Sequence, residues 1–280
     1  MSTIELAREH PRRSGSLTGM GIVFDFGVAS DRGANPARPV NEDRGLIGEL
    51  PCSDDPTQSI TIAAVADGMG GMDRGEIAAA TAMVALASAT PSLADISSED
   101  ALADWLVTRV VVANGSVANA VGGGRGGTTL TAVALLYDRL VLAHVGDSRA
   151  YLWRDGHLSQ LTQDHSLSAM LVQSGQMSAS EARSRRNALL RALGAKEQID
   201  RDYVDDLAAA ELNTGRSLRL VAGDRVVLTS DGVWDVVAAP ELEWVTSRSM
   251  TAQEMADALV QEALHCGAPD NATAVVISTS

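Results

Sequence analysis

The stretch TTLTAVALLYDRLVLAHVGDSRAYLWR, from Thr128 to Arg154, decides the fold class. It holds three apolar runs, Thr128 to Tyr137, Leu140 to Val145 and Ala150 to Arg154, which read as strands. The link Tyr137-Asp138-Arg139 is short and polar, and Asp155-Gly156 follows the third run with a pair that tolerates positive φ, so both read as hairpin turns. Working outward, further strands are expected at Gly21 to Val28, Arg44 to Glu49, Ile60 to Ala66, Arg225 to Ser230 and Ala272 to Ser278. Helical character appears at Glu76 to Ser88, at Asp100 to Asn119 with Leu102, Trp105, Leu106 and Val110 on one face, and at Thr251 to Cys266. The last begins with the capping-box spacing Thr251 to Glu254, and Gly267 stands where a helix commonly stops. Hairpin-linked strands with helices in separate blocks predict antiparallel sheets packed face to face with helices outside, rather than a parallel Rossmann sheet.

The chain has 280 residues, 45% of them apolar, enough for a well-buried core. From Met20 onward there is no repeat and no low-complexity linker, so one domain is expected over residues 19–280. Residues 1–18 read as a flexible polar tail whose Arg8, His10, Arg12 and Arg13 form either a docking arm or a solvated terminus. A formal net charge of −14 argues against nucleic-acid binding, which needs a cationic surplus, and suits a cytoplasmic protein. Cys52 and Cys266 form no Cys-x-x-Cys pair, and no apolar run has the length of a membrane span or a secretory signal.

The chemistry is suggested by repeated placement of an aspartate at the end of an apolar strand, beside a glycine that lets the backbone turn, at four sites: Asp67 in VADGMGG, Asp147 in HVGDSR, Asp231 in LTSDGVWD and Asp270 in GAPDN. Asp-Gly alone is ordinary turn chemistry. Recurrence is different, because carboxylates converging on one sheet rim repel each other unless cations are present. Carboxylate and carbonyl ligands are hard oxygens, which point to magnesium or manganese, and no His-Glu-x-x-His appears for zinc. Upstream, Glu42 and Asp43 offer further carboxylates, and Arg38 offers a charged fork suited to a phosphate.

The order R-x-x-N-E-D (Arg38 to Asp43), D-G-M-G-G (Asp67 to Gly71), G-T-T (Gly127 to Thr129), G-D-S-R-x-Y (Gly146 to Tyr151), D-H-S-L (Asp164 to Leu167), S-D-G-V-W-D (Ser230 to Asp235) and D-N-x-T (Asp270 to Thr273) resembles the protein phosphatase 2C family in its bacterial form. The resemblance covers about Gly21 to Ser278. It implies an α+β fold, a four-layer αββα sandwich with metals in a cleft at one end of two antiparallel sheets. By position, Asp67 resembles the carboxylate bridging two Mn2+ or Mg2+ ions, with the Gly68 carbonyl as a further ligand. Asp231 and Asp270 resemble the residues completing the first ion, Glu42 a contributor to the second, and Asp43 one acting through bound water. Asp147 resembles the residue that holds, with Asp231, a third and weaker ion, and Arg38 the phosphate-binding arginine. The implied reaction is hydrolysis of phosphoserine and phosphothreonine in proteins by a water shared between metals roughly 3.5 to 4 Å apart. The implied setting is a monomer opposing a serine/threonine kinase in signalling.

Several residues depart from the family pattern. Met69 stands where some relatives carry histidine, so it supplies no proton to the leaving group. Ala34 to Ala37 make the loop before Arg38 longer than in many relatives, Met72 replaces a common histidine, and Ser184 to Asn187 lack the usual His-Pro of a flap expected at about residues 165–200. The arginines there either meet substrate or form a solvated face. Gly122 to Thr129 has P-loop glycine spacing with Thr128 in place of lysine, which argues against a nucleotide hydrolase. No Cys-x5-Arg is present for a cysteine-nucleophile phosphatase. The rival reading is a pseudophosphatase-like binding module, whose mark would be a lost bridging carboxylate. His144 is expected to be a packed histidine, His165 to pin a loop, and Trp153 and Trp234 to anchor core or hairpin.

Overall fold

The computed structural model describes residues 4–6, 17–19, 22–70, 74–122, 126–183, 188–209 and 215–280. Its strands are β1 Ile4–Leu6, β2 Leu17–Gly19, β3 Ile22–Asp31, β4 Arg44–Pro51, β5 Ser59–Ala66, β6 Gly68–Met69, β7 Gly127–Thr128, β8 Leu130–Leu136, β9 Arg139–Val145, β10 Arg149–Arg154, β11 His157–Gln160, β12 Asp205–Asp206, β13 Leu218–Arg219, β14 Arg225–Thr229 and β15 Ala272–Thr279. The helices are α1 Arg74–Ala87, α2 Glu99–Val121, α3 Leu167–Gln173, α4 Ala179–Arg183, α5 Asp231–Trp234, α6 Ala239–Ser247 and α7 Ala252–His265. One sheet runs β1-β4-β5-β8-β9-β12, with β13 also on β9, and the other runs β11-β10-β14-β15-β3-β2. Among the described residues, the strand pairings of both sheets are antiparallel.

Alternation along the strands builds four layers. Ala63 and Val65 of β5 point between the sheets with Val133, Leu142, Leu228 and Val275, while Ile62, Ala64 and Ala66 point outward to Met83 of α1 and Leu106 of α2. On the other side Val227, Ala274 and Val276 pack on Met255 and Leu259 of α7. Because three apolar layers result, both sheets are covered on both faces, and their strands read as nearly continuous apolar runs.

Antiparallel pairing gathers particular strand ends at one edge. Arg44 opposes Ala66, Leu130 opposes Val145, Arg149 opposes Thr229, and Asp31 opposes Ala272. The residues just beyond those positions, Asp43, Asp67, Asp147, Asp231 and Asp270 among them, therefore share the same end of the sandwich.

The structure departs from expectation in four places. The strand expected from Thr128 is broken at Thr129: Gly127–Thr128 pairs with Gly68–Met69, and β8 starts at Leu130. Within the stretch read as a flexible tail, Ile4–Leu6 pairs with β4 and Leu17–Gly19 with β3; Arg8, His10, Arg12 and Arg13 lie outside the described residues. Asp231 opens the one-turn α5 directly after its strand, and α6, with Pro240 in its first turn, went unread because its apolar positions are few. The hairpin at Asp155-Gly156 closes as expected, with both residues at positive φ and β11 as the returning strand.

Candidate metal centre

Arg38, Glu42, Asp67, Gly68, Met69, Asp147, Asp231 and Asp270 line one cavity of about 590 Å³ at this end of the sheets. Asp43 is buried directly behind it, 1% exposed. The residue types singled out in the sequence are thus brought together, from loops far apart in the chain.

Each carboxylate has its own support. The backbone of Asp67 is clasped by the break in the β7–β8 run: its N–H donates to Thr129 Oγ1 (2.9 Å), and its carbonyl accepts from the Thr129 N–H (2.9 Å) and Thr128 Oγ1 (2.9 Å). Ser230 Oγ donates to Asp43 Oδ2 (2.6 Å) and accepts from the Thr273 N–H (3.0 Å). Asn271 staples the Arg38 loop to its neighbour: its Nδ2 donates to the carbonyl of Arg32 (2.8 Å), and its Oδ1 accepts from the Glu42 N–H (2.8 Å). Beyond Asp147, Arg149 makes a two-pronged bond to Asp164 (2.9 and 2.7 Å), and its guanidinium lies 3.5 Å from the centre of the Trp234 ring.

Close approach is possible because glycine stands at the contacts. A Cβ on Gly232 would lie 1.9 Å from the Asn271 carbonyl oxygen, and one on Gly68 would lie 2.1 Å from that of Gly75. The lengthened loop from Ala34 to Ala37 is absorbed by a turn: the Ala34 N–H donates to the Ala268 carbonyl (3.0 Å) and Asn35 Nδ2 to that of Pro269 (2.9 Å). Arg38 is consequently delivered to the cavity, where Nη1 pairs with Asp270 Oδ1 at 2.6 Å.

The electrostatics are those of crowded, dry carboxyls. Burial lifts Asp67 well above the usual carboxylate range, and Asp231, Asp43, Asp147 and Asp270 add to the shift. Burial raises Asp43 likewise, against the opposing hydrogen bonds from Ser230 and Thr273. Asp147 is pushed up to about 7 by burial and then by Asp231 and Asp164. Asp231 rises to about 6 through burial and Asp270. Asp43 Oδ1 and Asp231 Oδ1 are buried with no hydrogen-bond partner. Among the described residues, no group of three or more His, Cys, Asp or Glu side chains is arranged closely enough to hold an ion as it stands. The donor set fits hard divalent cations all the same: it is all oxygen, heavily anionic, and has buried lone pairs aimed at nothing else.

His144 is packed and neutral, its pKa pressed to about 3 by burial and by His165. His165 ties the α3 segment to Gly146, with its N–H donating to the Gly146 carbonyl at 2.7 Å. Trp153 sits in the β10–β11 hairpin opposite Leu158. Met72, Ser184 to Asn187 and part of the glycine run, Gly123 to Arg125, lie outside the described residues. Thr129, Ser230, Asn271 and the Arg149–Asp164 pair were quoted in motifs without a role, since nothing local in the sequence says which backbone a hydroxyl or amide will hold.

A four-layer sandwich with an anionic, all-oxygen cleft at one end of its sheets defines a metal-dependent hydrolase. Residues 33–272 match the family model for protein phosphatase 2C, and the chain belongs to that family. It is 32% identical over 254 residues to the serine/threonine phosphatase stp of Listeria monocytogenes, covering 89% of this chain and 93% of the relative. It is 35% identical over 261 residues to the serine/threonine protein phosphatase PstP of Mycobacterium tuberculosis, covering 91% of this chain and 45% of that longer protein. Among solved structures, the S. agalactiae serine/threonine phosphatase superposes with a TM-score of 0.76 at 27% identity, covering 91% of this chain and 99% of that one. The catalytic domain of PstP in complex with two manganese ions gives 0.72 at 30% identity, covering 92% and 99%. The chain is a metal-dependent protein serine/threonine phosphatase, a hydrolase of phosphorylated proteins that uses manganese or magnesium. No helix among the described residues is long and apolar enough to cross a membrane.

Proposed function

We propose that Asp67, Asp231 and Asp270, with the Gly68 carbonyl and Glu42, hold the two core cations, and that Asp147 with Asp231 holds a third more weakly. The observation carrying this reading is the convergence of these carboxylates on one cavity with buried oxygens of Asp43 and Asp231 left unpartnered. Divalent ions bound there supply an activated water and withdraw charge from the phosphoryl group.

The residues of the chain do the rest. Asp43, held by Ser230, orients ordered water behind the ligands. Arg38, 40% exposed in its side chain, offers its fork to the phosphate and must share or release Asp270 to do so. Met69 lines the cavity but has no proton to give, so the leaving oxygen of serine or threonine takes its proton from water. Residues at about 165–200, from α3 to the return segment carrying Leu189 into the cavity wall, act as a flap over the substrate, in a domain spanning residues 19–280.

In this reading the protein works as a monomer in the cytoplasm against a serine/threonine kinase. Purified protein is expected to cleave p-nitrophenyl phosphate with added manganese and to stop on chelation. Calorimetric titration of D231A should show weakened manganese binding with turnover lost. Undiminished turnover in D231A sinks the assignment, whereas wild-type protein that binds no manganese at millimolar concentration would make the chain a binding module.

A further inference from the structure

Asp147 sits on a turn whose backbone is held from behind by one residue. His165 Nδ1 accepts from the Gly146 N–H (3.1 Å), while the His165 backbone N–H donates to the Gly146 carbonyl (2.7 Å). With Nδ1 accepting, the ring hydrogen sits on Nε2, and Asp205 Oδ2 receives it at 3.0 Å. Arg191 Nη1 donates to the other oxygen of Asp205 at 2.8 Å, so this carboxylate is fixed from two sides. Asp205 lies on β12 directly opposite His144, whose ring is 4.8 Å from that of His165.

A second branch leaves from His144. Its Nδ1 is 2.9 Å from Thr131 Oγ1, which lies 2.9 Å from the Ser148 carbonyl oxygen. Ser148 Oγ meets Thr129 Oγ1 at 2.6 Å, and Thr129 Oγ1 accepts the Asp67 N–H. Polar contacts thus run from an edge strand to the backbones of Gly146 and Ser148, on either side of Asp147, and to that of Asp67. The flap shares the same anchor, because the Leu190 N–H donates to the His165 carbonyl (2.8 Å).

A residue that only filled space would not need one ring nitrogen matched to an N–H and the other to a carboxylate. We propose that His165 and Asp205 are a positioning pair for Asp147, so that the grip of this carboxylate on a divalent cation depends on their contact. The inference rests on the reading of Asp147 as a metal ligand. Gly146 makes the turn sensitive to such control: it is at φ +115°, with the Thr129 side chain 2.6 Å from where a Cβ would be.

The test compares H165L, which removes the ring's contacts with the Gly146 N–H and Asp205, with H165N, which keeps an acceptor near the place of Nδ1. Manganese binding is followed by calorimetry and by paramagnetic resonance of the free ion, and turnover by p-nitrophenyl phosphate. H165L should raise the half-saturating manganese concentration about 10-fold or more, with kcat at saturating metal recovering to within about 3-fold of wild type, the scale of losing a partner that orients a ligand. H165N should stay closer to wild type in both readouts. Equal losses of kcat in the two variants with unchanged manganese binding would overturn the proposal. If H165L does not fold, D205A against D205N decides, since D205A must weaken manganese binding more, and wild-type binding in both overturns it. D147N separates the two readings. Wild-type manganese binding in D147N means the ligand assignment has failed, whereas weakened binding in D147N with wild-type binding in D205A means only the positioning pair has failed.

Discussion

Asp231 occupies the most contested position in the molecule: partly buried in the cleft, beside the like-charged Asp67 and Asp270, with one oxygen enclosed and unpartnered. Such a group is tolerated for what it binds rather than for what it contributes to folding. D231N is therefore expected to lower kcat by about 100-fold or more, the scale of removing one preorganised electrostatic contact. In chelator at pH 8, the same variant should melt at a higher temperature than wild type, because one buried charge has been removed; a lower Tm would contradict the picture of repulsion. Arg38 makes a converse case. Its guanidinium already pairs with Asp270, so R38A should raise KM for p-nitrophenyl phosphate more than it lowers manganese affinity, as measured by steady-state kinetics beside calorimetry.

At the scale of elements, the site depends on how closely strand ends approach. The turn at Asp231-Gly232 meets the Asn271 carbonyl with no room for a methyl group, 1.9 Å from an ideal Cβ. G232A should cost about 1 to 3 kcal/mol by overpacking and should lower activity as well, because it pushes Asp231 away from Asp270. By contrast, α7 carries a complete capping box, with the Thr251 side chain accepting from the Glu254 N–H and the Glu254 side chain accepting from the Thr251 N–H. T251A should lower stability by about 1 kcal/mol in urea denaturation and leave kcat unchanged, since Thr251 caps the end of α7 opposite the one that leads into Asp270. The capping box and the Asp155-Gly156 hairpin were readable because both are local patterns. The break at Thr129 was not: Thr128 to Tyr137 reads as one continuous strand, and only pairing with Gly68–Met69 interrupts it.

For the whole molecule, stability, acidity and metal are linked. Asp147 at about 7 and Asp231 at about 6 have folded pKa values above the roughly 3.9 of a free aspartate. Their contribution is fully present below pH ~4 and is lost as pH rises through about 6 to 7. Protein in chelator should accordingly melt at a lower temperature at pH 8 than at pH 5. Manganese requires the ionised carboxylates, so its effect runs the other way: the rise in Tm on adding it should grow over this window, and the stabilisation behind it would be about 2.7 kcal/mol at a concentration 100 times Kd. A manganese effect independent of pH would rule out these aspartates as the ligands. The sequence by itself determined the family, the antiparallel layering and the cast of acidic residues, because ordered short motifs and period-two alternation survive in one dimension. Tertiary structure alone decided that Arg38 lies on Asp270, that Thr129 clasps Asp67 and that His165 and Asp205 meet behind Asp147. Those contacts depend on strand register and on loops far apart in the chain, where an aspartate beside a glycine has the same local chemistry whether it turns a hairpin or holds a cation.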